Sequence, residues 1–337
     1  MKSVGGIWDR LLCLDTFLEA FHGAAKGKAT VEEVVSFRRD LHGNTRRMRR
    51  QLEAGEYRFG PYSSFMVRDP KPRLIRVAPF EQRVMHHAMV IACGDVFERS
   101  LIFDTYACRR GKGQHAAVRR AQCFACKHAC YLKMDIRKFY DSIPHECLLG
   151  LLRKRLREAR VHDLFARLLA SHETSSGCGL PIGNLTSQHL GNLCLDGLDH
   201  WLTEVRRVPA YVRYMDDMLV FGDRIPKLRE LRNETAEWLA NERGLTIKHN
   251  GEINDVVRGL PFLGVVIRPH GIRLHPRSAQ RYSRKLASLK HGCRHGLCDD
   301  RELQDRACSL VAATRLADAA GFRRGVERRQ TAIKGYT

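Results

Sequence analysis

The sequence predicts a mixed α+β chain, helical at both ends, with short antiparallel strands between. Three observations predict it. Leu11, Leu12, Leu14, Phe17, Leu18 and Phe21, then Val31, Val34, Val35, Phe37 and Leu41, recur at near-helical spacing over residues 7–57. Pro61, Pro70, Pro72 and Pro79 bar a long helix over 61–80. Two strand-like runs, 209–214 and 218–221, flank Met215, Asp216 and Asp217, the pattern of a β-hairpin with two carboxylates at its tip.

The remaining elements follow in chain order. Residues 64–68 and 73–77 read as strands joined by a turn at Asp69-Pro-Lys-Pro72, a hairpin with a basic tip. A helix is expected over 80–97, then a Gly/Arg-rich turn at 109–113. Residues 131–136 read as a buried strand ending in an acid, Asp135. Asp141-Ser-Ile-Pro144 is a helix-start signal, and Leu148, Leu149, Leu151, Leu152 and Leu156 give the helix an apolar face. A Gly/Ser-rich loop at 174–184 precedes a helix over 185–205. Beyond the Asp-Asp hairpin, 226–243 reads as helix, 262–267 and 271–274 as a second hairpin, and the tail from Arg273 as helical.

Charge points to a polyanionic partner. Lys and Arg number 58 against 37 Asp and Glu, a net charge of +21, which attracts nucleic acid at long range and is repaid by counterion release. The tail from 272 to 337 carries 15 Lys and Arg against 6 Asp and Glu, so it is the expected grip on a duplex backbone. Arg46, Arg47, Arg49 and Arg50 form a second basic run, read either as a solvated helix face or as a phosphate contact. No run of about 18 apolar residues suggests a membrane span, and no secretory signal is read at the start, so the expected location is the cytoplasm with no membrane partner. The 12 cysteines then read as mainly reduced thiols.

Asp135 at a strand end and Asp216-Asp217 at a hairpin tip suggest a carboxylate cluster built from adjacent strands. Such hard oxygen donors suit Mg²⁺. Two ions about 3.5–4 Å apart can activate a 3′-hydroxyl and stabilise a pyrophosphate leaving group.

At these residues the chain resembles the reverse transcriptases. Tyr214-Met-Asp-Asp217 resembles their catalytic hairpin, and Asp135-Ile-Arg-Lys-Phe-Tyr140 their first palm motif. Pro181-Ile-Gly-Asn-Leu-Thr-Ser-Gln188 resembles the motif that packs on the nascent base pair. Lys71-Pro-Arg-Leu-Ile-Arg76 resembles the fingertip strand, Tyr106-Ala-Cys-Arg-Arg-Gly-Lys-Gly113 the segment after it, and Phe262-Leu-Gly264 the primer-grip hairpin. Order and spacing match from about residue 57 to 275. The resemblance implies a right-hand polymerase: an N-terminal helical extension at 1–56, fingers at 57–130 and 150–185, a palm of antiparallel sheet and helices at 131–149 and 186–271, and a basic helical thumb at 272–337.

The resemblance also implies roles. Asp135, Asp216, Asp217 and the Ile136 carbonyl would hold two Mg²⁺ ions, with Mn²⁺ as the alternative. Among Lys71, Arg73 and Arg76 lies the clamp for an incoming deoxynucleotide triphosphate. Arg suits this because its planar fork binds phosphate oxygens in pairs. Tyr140 falls where the family places an aromatic sugar gate; the alternative is an ordinary core aromatic. Pro181, Ile182, Gly183 and Gln188 would line the base pair, and Lys248 would protonate pyrophosphate. Template RNA and a cDNA/primer duplex are the implied macromolecular partners.

Ile182 together with Gln188 resembles the pattern of diversity-generating retroelements, as does the length, short for a maturase or nuclease extension. That family implies cDNA copied from a template-repeat RNA with adenine-selective errors, and a pentameric accessory variability protein. The other readings are another bacterial reverse transcriptase (retron, group II intron-like or phage-defence) and a non-catalytic RNA-binding protein on the same fold. Cys123, Cys126 and Cys130 have C-x2-C-x3-C spacing near His115 and His128. A metal site is one reading; one helix face carrying small apolar thiols is the other.

Overall fold

The computed structural model describes residues 3–68 and 72–332. The N-terminal helical stretch forms as four helices, α1 (Ile7–Leu12), α2 (Leu14–Ala25), α3 (Glu32–Arg39) and α4 (Leu41–Glu53). Asp40 caps α4 by accepting from Gly43 N at 3.0 Å. Phe21, Phe37 and Phe80 meet with ring centroids 5.3–6.0 Å apart, pinning α2 and α3 to α5 (Phe80–Ser100). α5 is buried around most of its circumference by Val84, Met85, Ala88, Met89, Ala92, Cys93 and Val96, as befits a helix at the centre of a core.

Between α4 and α5 the prolines leave a two-stranded hairpin, β1 (Ser63–Arg68) and β2 (Pro72–Val77). Its turn, apart from Pro72, lies outside the described residues, and Lys71 with it. Next come α6 (Gln114–Ala125), β3 (Cys130–Met134), α7 (Phe139–Ser142), α8 (His145–Arg155), α9 (Ala159–Ala170) and α10 (Leu185–His200). Pro144 sits at the N-cap of α8 rather than in its first turn. The expected helix over 185–205 changes at Trp201 into a π-helical turn, Trp201–Val205. Then follow β4 (Tyr211–Tyr214), β5 (Asp217–Gly222), α11 (Ile225–Arg243), β6 (Glu252–Asp255), β7 (Leu260–Phe262), β8 (Val265–Arg268) and β9 (Gly271–Leu274). The chain ends on α12 (Pro276–Arg294), α13 (Asp300–Ala312) and α14 (Ala320–Ala332).

A four-stranded sheet of order β4-β5-β3-β6 holds the centre. Its alternate residues serve two cores. Leu132, Met134, Met218 and Val220 join the large core that helices such as α5, α8, α10 and α11 build, with α11 packed directly on β3, β5 and β6, while Tyr131, Val212, Leu219 and Phe221 share the other core with α6 and the β7-β8-β9 sheet. Burial on both faces is why these strands read as continuous apolar runs. The expected single strand over 262–267 is corrected: it breaks at Leu263 and Gly264, with φ of 44° and 82°, into a tight turn joining β7 and β8. Among the described residues no helix is long and apolar enough to cross a membrane.

Candidate active site

Register gathers the acids. Met134 pairs with Met218 across β3 and β5, and Tyr214 pairs with Asp217 across β4 and β5. Asp135, one residue past Met134, therefore reaches the Met215-Asp216 turn that closes the hairpin. The Asp135 and Asp216 carboxyls come close enough to act on each other electrostatically. Burial, then the charges of Asp135 and Asp217, push the Asp216 carboxyl up to about 7. Met215 closes this turn at φ 58°, a conformation that favours glycine.

Lys248 grips Asp135 twice. Its Nζ donates to Asp135 Oδ2 at 3.1 Å, and its backbone N–H donates to the Asp135 carbonyl at 2.7 Å. Arg137 N–H bonds the Thr246 carbonyl at 2.9 Å, which makes Ile136 and Ile247 a bridge pair that does not exchange bonds with each other. The Ile136 carbonyl is thereby turned away from that strand pair.

The implied nucleotide residues converge on the same place. Tyr140 is mostly buried, its ring 5.3 Å from that of Phe139. Its hydroxyl is raised by burial, with Cys108, Asp216, Arg73 and Tyr214 as its charged or titratable neighbours. The Tyr140 carbonyl accepts from Leu180 N–H at 2.7 Å, and the Ile182 carbonyl accepts from Arg76 N–H at 2.9 Å, so the loop before α10 is stitched to β2. Pro181 is buried and Ile182 half-buried. Gly183 stands at φ 122°, where a Cβ would meet the Arg76 carbonyl oxygen at 2.9 Å. Gln188 Oε1 accepts from Cys108 Sγ at 3.1 Å. Strand alternation separates the basic candidates: Arg73 lines the cleft, whereas Arg76 lies beside His172.

The cleft holds about 1000 Å³ and is basic. Arg68 and Arg73 come from the β1-β2 hairpin, Lys133 and Asp217 from the central sheet, and Arg277, Arg281 and Arg284 from α12. Phe262, Leu263 and Gly264 form its floor at the β7-β8 turn.

The sequence reading missed a buried ion pair beneath the turn. Arg213 and Asp199 are both fully buried. Arg213 Nη2 donates to Asp199 Oδ2 at 2.6 Å and Nε donates to Oδ1 at 2.7 Å. The only hint in the sequence is an Arg inside an otherwise apolar strand.

The three clustered cysteines do not converge. Cys126 Sγ donates to the Pro269 carbonyl, and Cys130 Sγ to Asp255. Among the described residues no group of three His, Cys, Asp or Glu side chains is drawn together as a metal cage. The donor set of Asp135, Asp216 and Asp217 nevertheless fits a divalent cation. These are hard oxygen ligands, and burial together with the neighbouring charges of Asp135 and Asp217 disfavours the Asp216 carboxylate, a cost that a bound cation relieves.

A sequence model of the family described as "Reverse transcriptase (RNA-dependent DNA polymerase)" matches residues 68–267, more than half of the chain. "Protein YkfC" of Escherichia coli (strain K12) is 23% identical over 172 residues, covering 47% of this chain and 45% of that one. "Group II intron-encoded protein LtrA" of Lactococcus lactis subsp. cremoris is 22% identical over 172 residues, covering 49% and 27%. The chain thus spans less than half the length of these curated relatives. A structure of apo telomerase from Candida Tropicalis aligns with a TM-score of 0.48 at 10% identity, over 66% of this chain and 49% of that one.

Proposed function

The chain belongs to the reverse transcriptase family, and we propose that it is an RNA-directed DNA polymerase working by nucleotidyl transfer at Asp135, Asp216 and Asp217. The observation that carries this is the strand register that brings Asp135 to the Asp216-Asp217 hairpin tip, with Tyr140 and Arg73 among its neighbours. Acids on two strands are brought to one point where a basic cleft opens.

In this reading Asp135, Asp216, Asp217 and the Ile136 carbonyl hold two Mg²⁺ ions. Such ions, held there, would supply Lewis-acid activation of the primer 3′-hydroxyl and charge stabilisation for the leaving pyrophosphate. Arg73 holds the triphosphate from β2. Tyr140 closes the sugar side of the pocket, so a ribose 2′-hydroxyl meets its ring. Ile182 and Gly183 pack on the nascent pair, and Lys248 is the proton donor to pyrophosphate from its place on Asp135. Helices α12–α14 act as the thumb, with Arg277, Arg281 and Arg284 on the backbone of the template–primer duplex.

The finer role we propose is that of a diversity-generating retroelement: copying a template-repeat RNA with errors at template adenines, alongside a pentameric accessory variability protein. Ile182 and Gln188 support it. An amide at position 182 could hydrogen-bond the incoming nucleotide; Ile can only pack. Losing a neutral hydrogen bond of about 0.5–1.5 kcal/mol relaxes discrimination by a few-fold to about ten-fold. A second reading, a group II intron-type lineage, is favoured by the likeness to the group II intron-encoded protein LtrA of Lactococcus lactis. Extension of a primed RNA template with deoxynucleotides, followed by sequencing of the cDNA, separates them. Errors clustered at template adenines support the retroelement role, accurate copying supports the intron-type lineage, and no synthesis removes both.

A further inference from the structure

Met215 occupies the first position of the catalytic turn at φ 58° with its side chain buried. A non-glycine residue there is strained and persists only when its surroundings over-determine it. The Met215 side chain packs in the core beside Gly191 of α10, and one side chain holds its carbonyl. Arg213 Nη1 donates to the Met215 carbonyl at 3.1 Å and to Asn192 Oδ1 at 2.9 Å. Nε and Nη2 donate to Asp199, and Nη2 also reaches the Asn192 carbonyl at 3.4 Å. Asp199 in turn accepts from Tyr211 Oη at 2.8 Å and Thr105 Oγ1 at 3.0 Å. Asn192 is fixed by donating to the Ala107 carbonyl at 2.8 Å.

We propose that Arg213 is a positioning residue: anchored by Asp199 and Asn192, it holds the Met215 carbonyl and so aims the Asp216 carboxylate at Asp135. A fully buried arginine and aspartate are costly to desolvate, and replacing such a pair by apolar side chains is often neutral or better for stability. Their retention beneath a strained turn is explained by geometry at the tip. The inference rests on reading Asp216 as a metal ligand.

The test uses the whole chain with Arg213→Lys and Asn192→Ala. Lysine keeps the charge opposite Asp199 but cannot reach Asp199, Asn192 and the Met215 carbonyl together. Loss of a group that orients a metal ligand typically costs 10- to 100-fold in metal affinity. Arg213→Lys should therefore raise the Mg²⁺ concentration for half-maximal primer extension by about ten-fold, with affinity for template–primer unchanged. A merely structural role would reduce the amount of active protein at an unchanged Mg²⁺ requirement, and that result overturns the inference. Should Arg213→Lys fail to fold, Asn192→Ala, which keeps the ion pair and removes one of the two bonds made by Nη1, decides in the same way. Mn²⁺ titration followed by electron paramagnetic resonance gives a readout without catalysis. If the wild type extends nothing, the polymerase reading falls. The titration then decides alone: weaker Mn²⁺ binding in the variant supports positioning, and equal binding overturns it.

Discussion

The carbonyl of Ile182 accepts the backbone N–H of Arg76 at 2.9 Å, which ties the loop before α10 to the strand that carries Arg73. Gly183 makes the approach feasible. A side chain there would be strained at φ 122° and would press on the Arg76 carbonyl. Gly183→Ala should cost about 1–3 kcal/mol in urea unfolding and raise the KM for deoxynucleotides more than it lowers kcat. An unchanged KM would separate the loop from nucleotide binding.

Ile182→Gln should lower misincorporation at template adenines by a few-fold to about ten-fold, the worth of one neutral hydrogen bond. Sequencing of cDNA made by the two proteins on one template checks this. An identical error spectrum would remove position 182 from the account of fidelity.

Tyr140→Ala should let ribonucleotides in. Forcing an extra atom into a packed site costs about 1–3 kcal/mol, so discrimination between deoxy- and ribonucleotides should fall by about 10- to 100-fold, while Tyr140→Phe keeps it. The ratio of kcat/KM for the two sugars is the measurement, and an alanine variant as selective as wild type would make Tyr140 a core aromatic only.

Stability should depend on His86. Burial first, then His87, lower its pKa to about 3, and its Nδ1 meets Thr186 Oγ1 at 2.8 Å. The folded state keeps His86 neutral below pH 6.5 while the unfolded chain takes up a proton. Stability contributed by the neutral ring is therefore whole above about pH 6.5 and lost at about 1.4 kcal/mol per unit as pH falls toward 3. Urea midpoints of wild type and His86→Asn across pH 4–7 should diverge with that slope. Parallel curves would contradict it.

Much of this was legible in the residues, for identifiable reasons. Asp135 and the Asp216-Asp217 tip stand out because a doubly covered sheet makes its strands apolar, so acids at their ends are conspicuous. The turn at Leu263-Gly264 was hidden because leucine rarely takes positive φ in a two-residue turn, where Asn or Gly is usual. Arg213 gave no warning of its role: its partners Asp199, Asn192 and Thr105 lie on other elements, and only the tertiary fold joins them. Strand β6 and helix α9 were missed likewise; β6 is short and edge-placed, and pairing with β3 sustains it.

The most direct test of the central claim is extension of a DNA primer on an RNA template with Mg²⁺ and deoxynucleotides, comparing wild type with Asp216→Asn. The expected result is extension by the wild type and loss of it in the variant with template–primer binding intact. Extension by Asp216→Asn at the wild-type rate would contradict it.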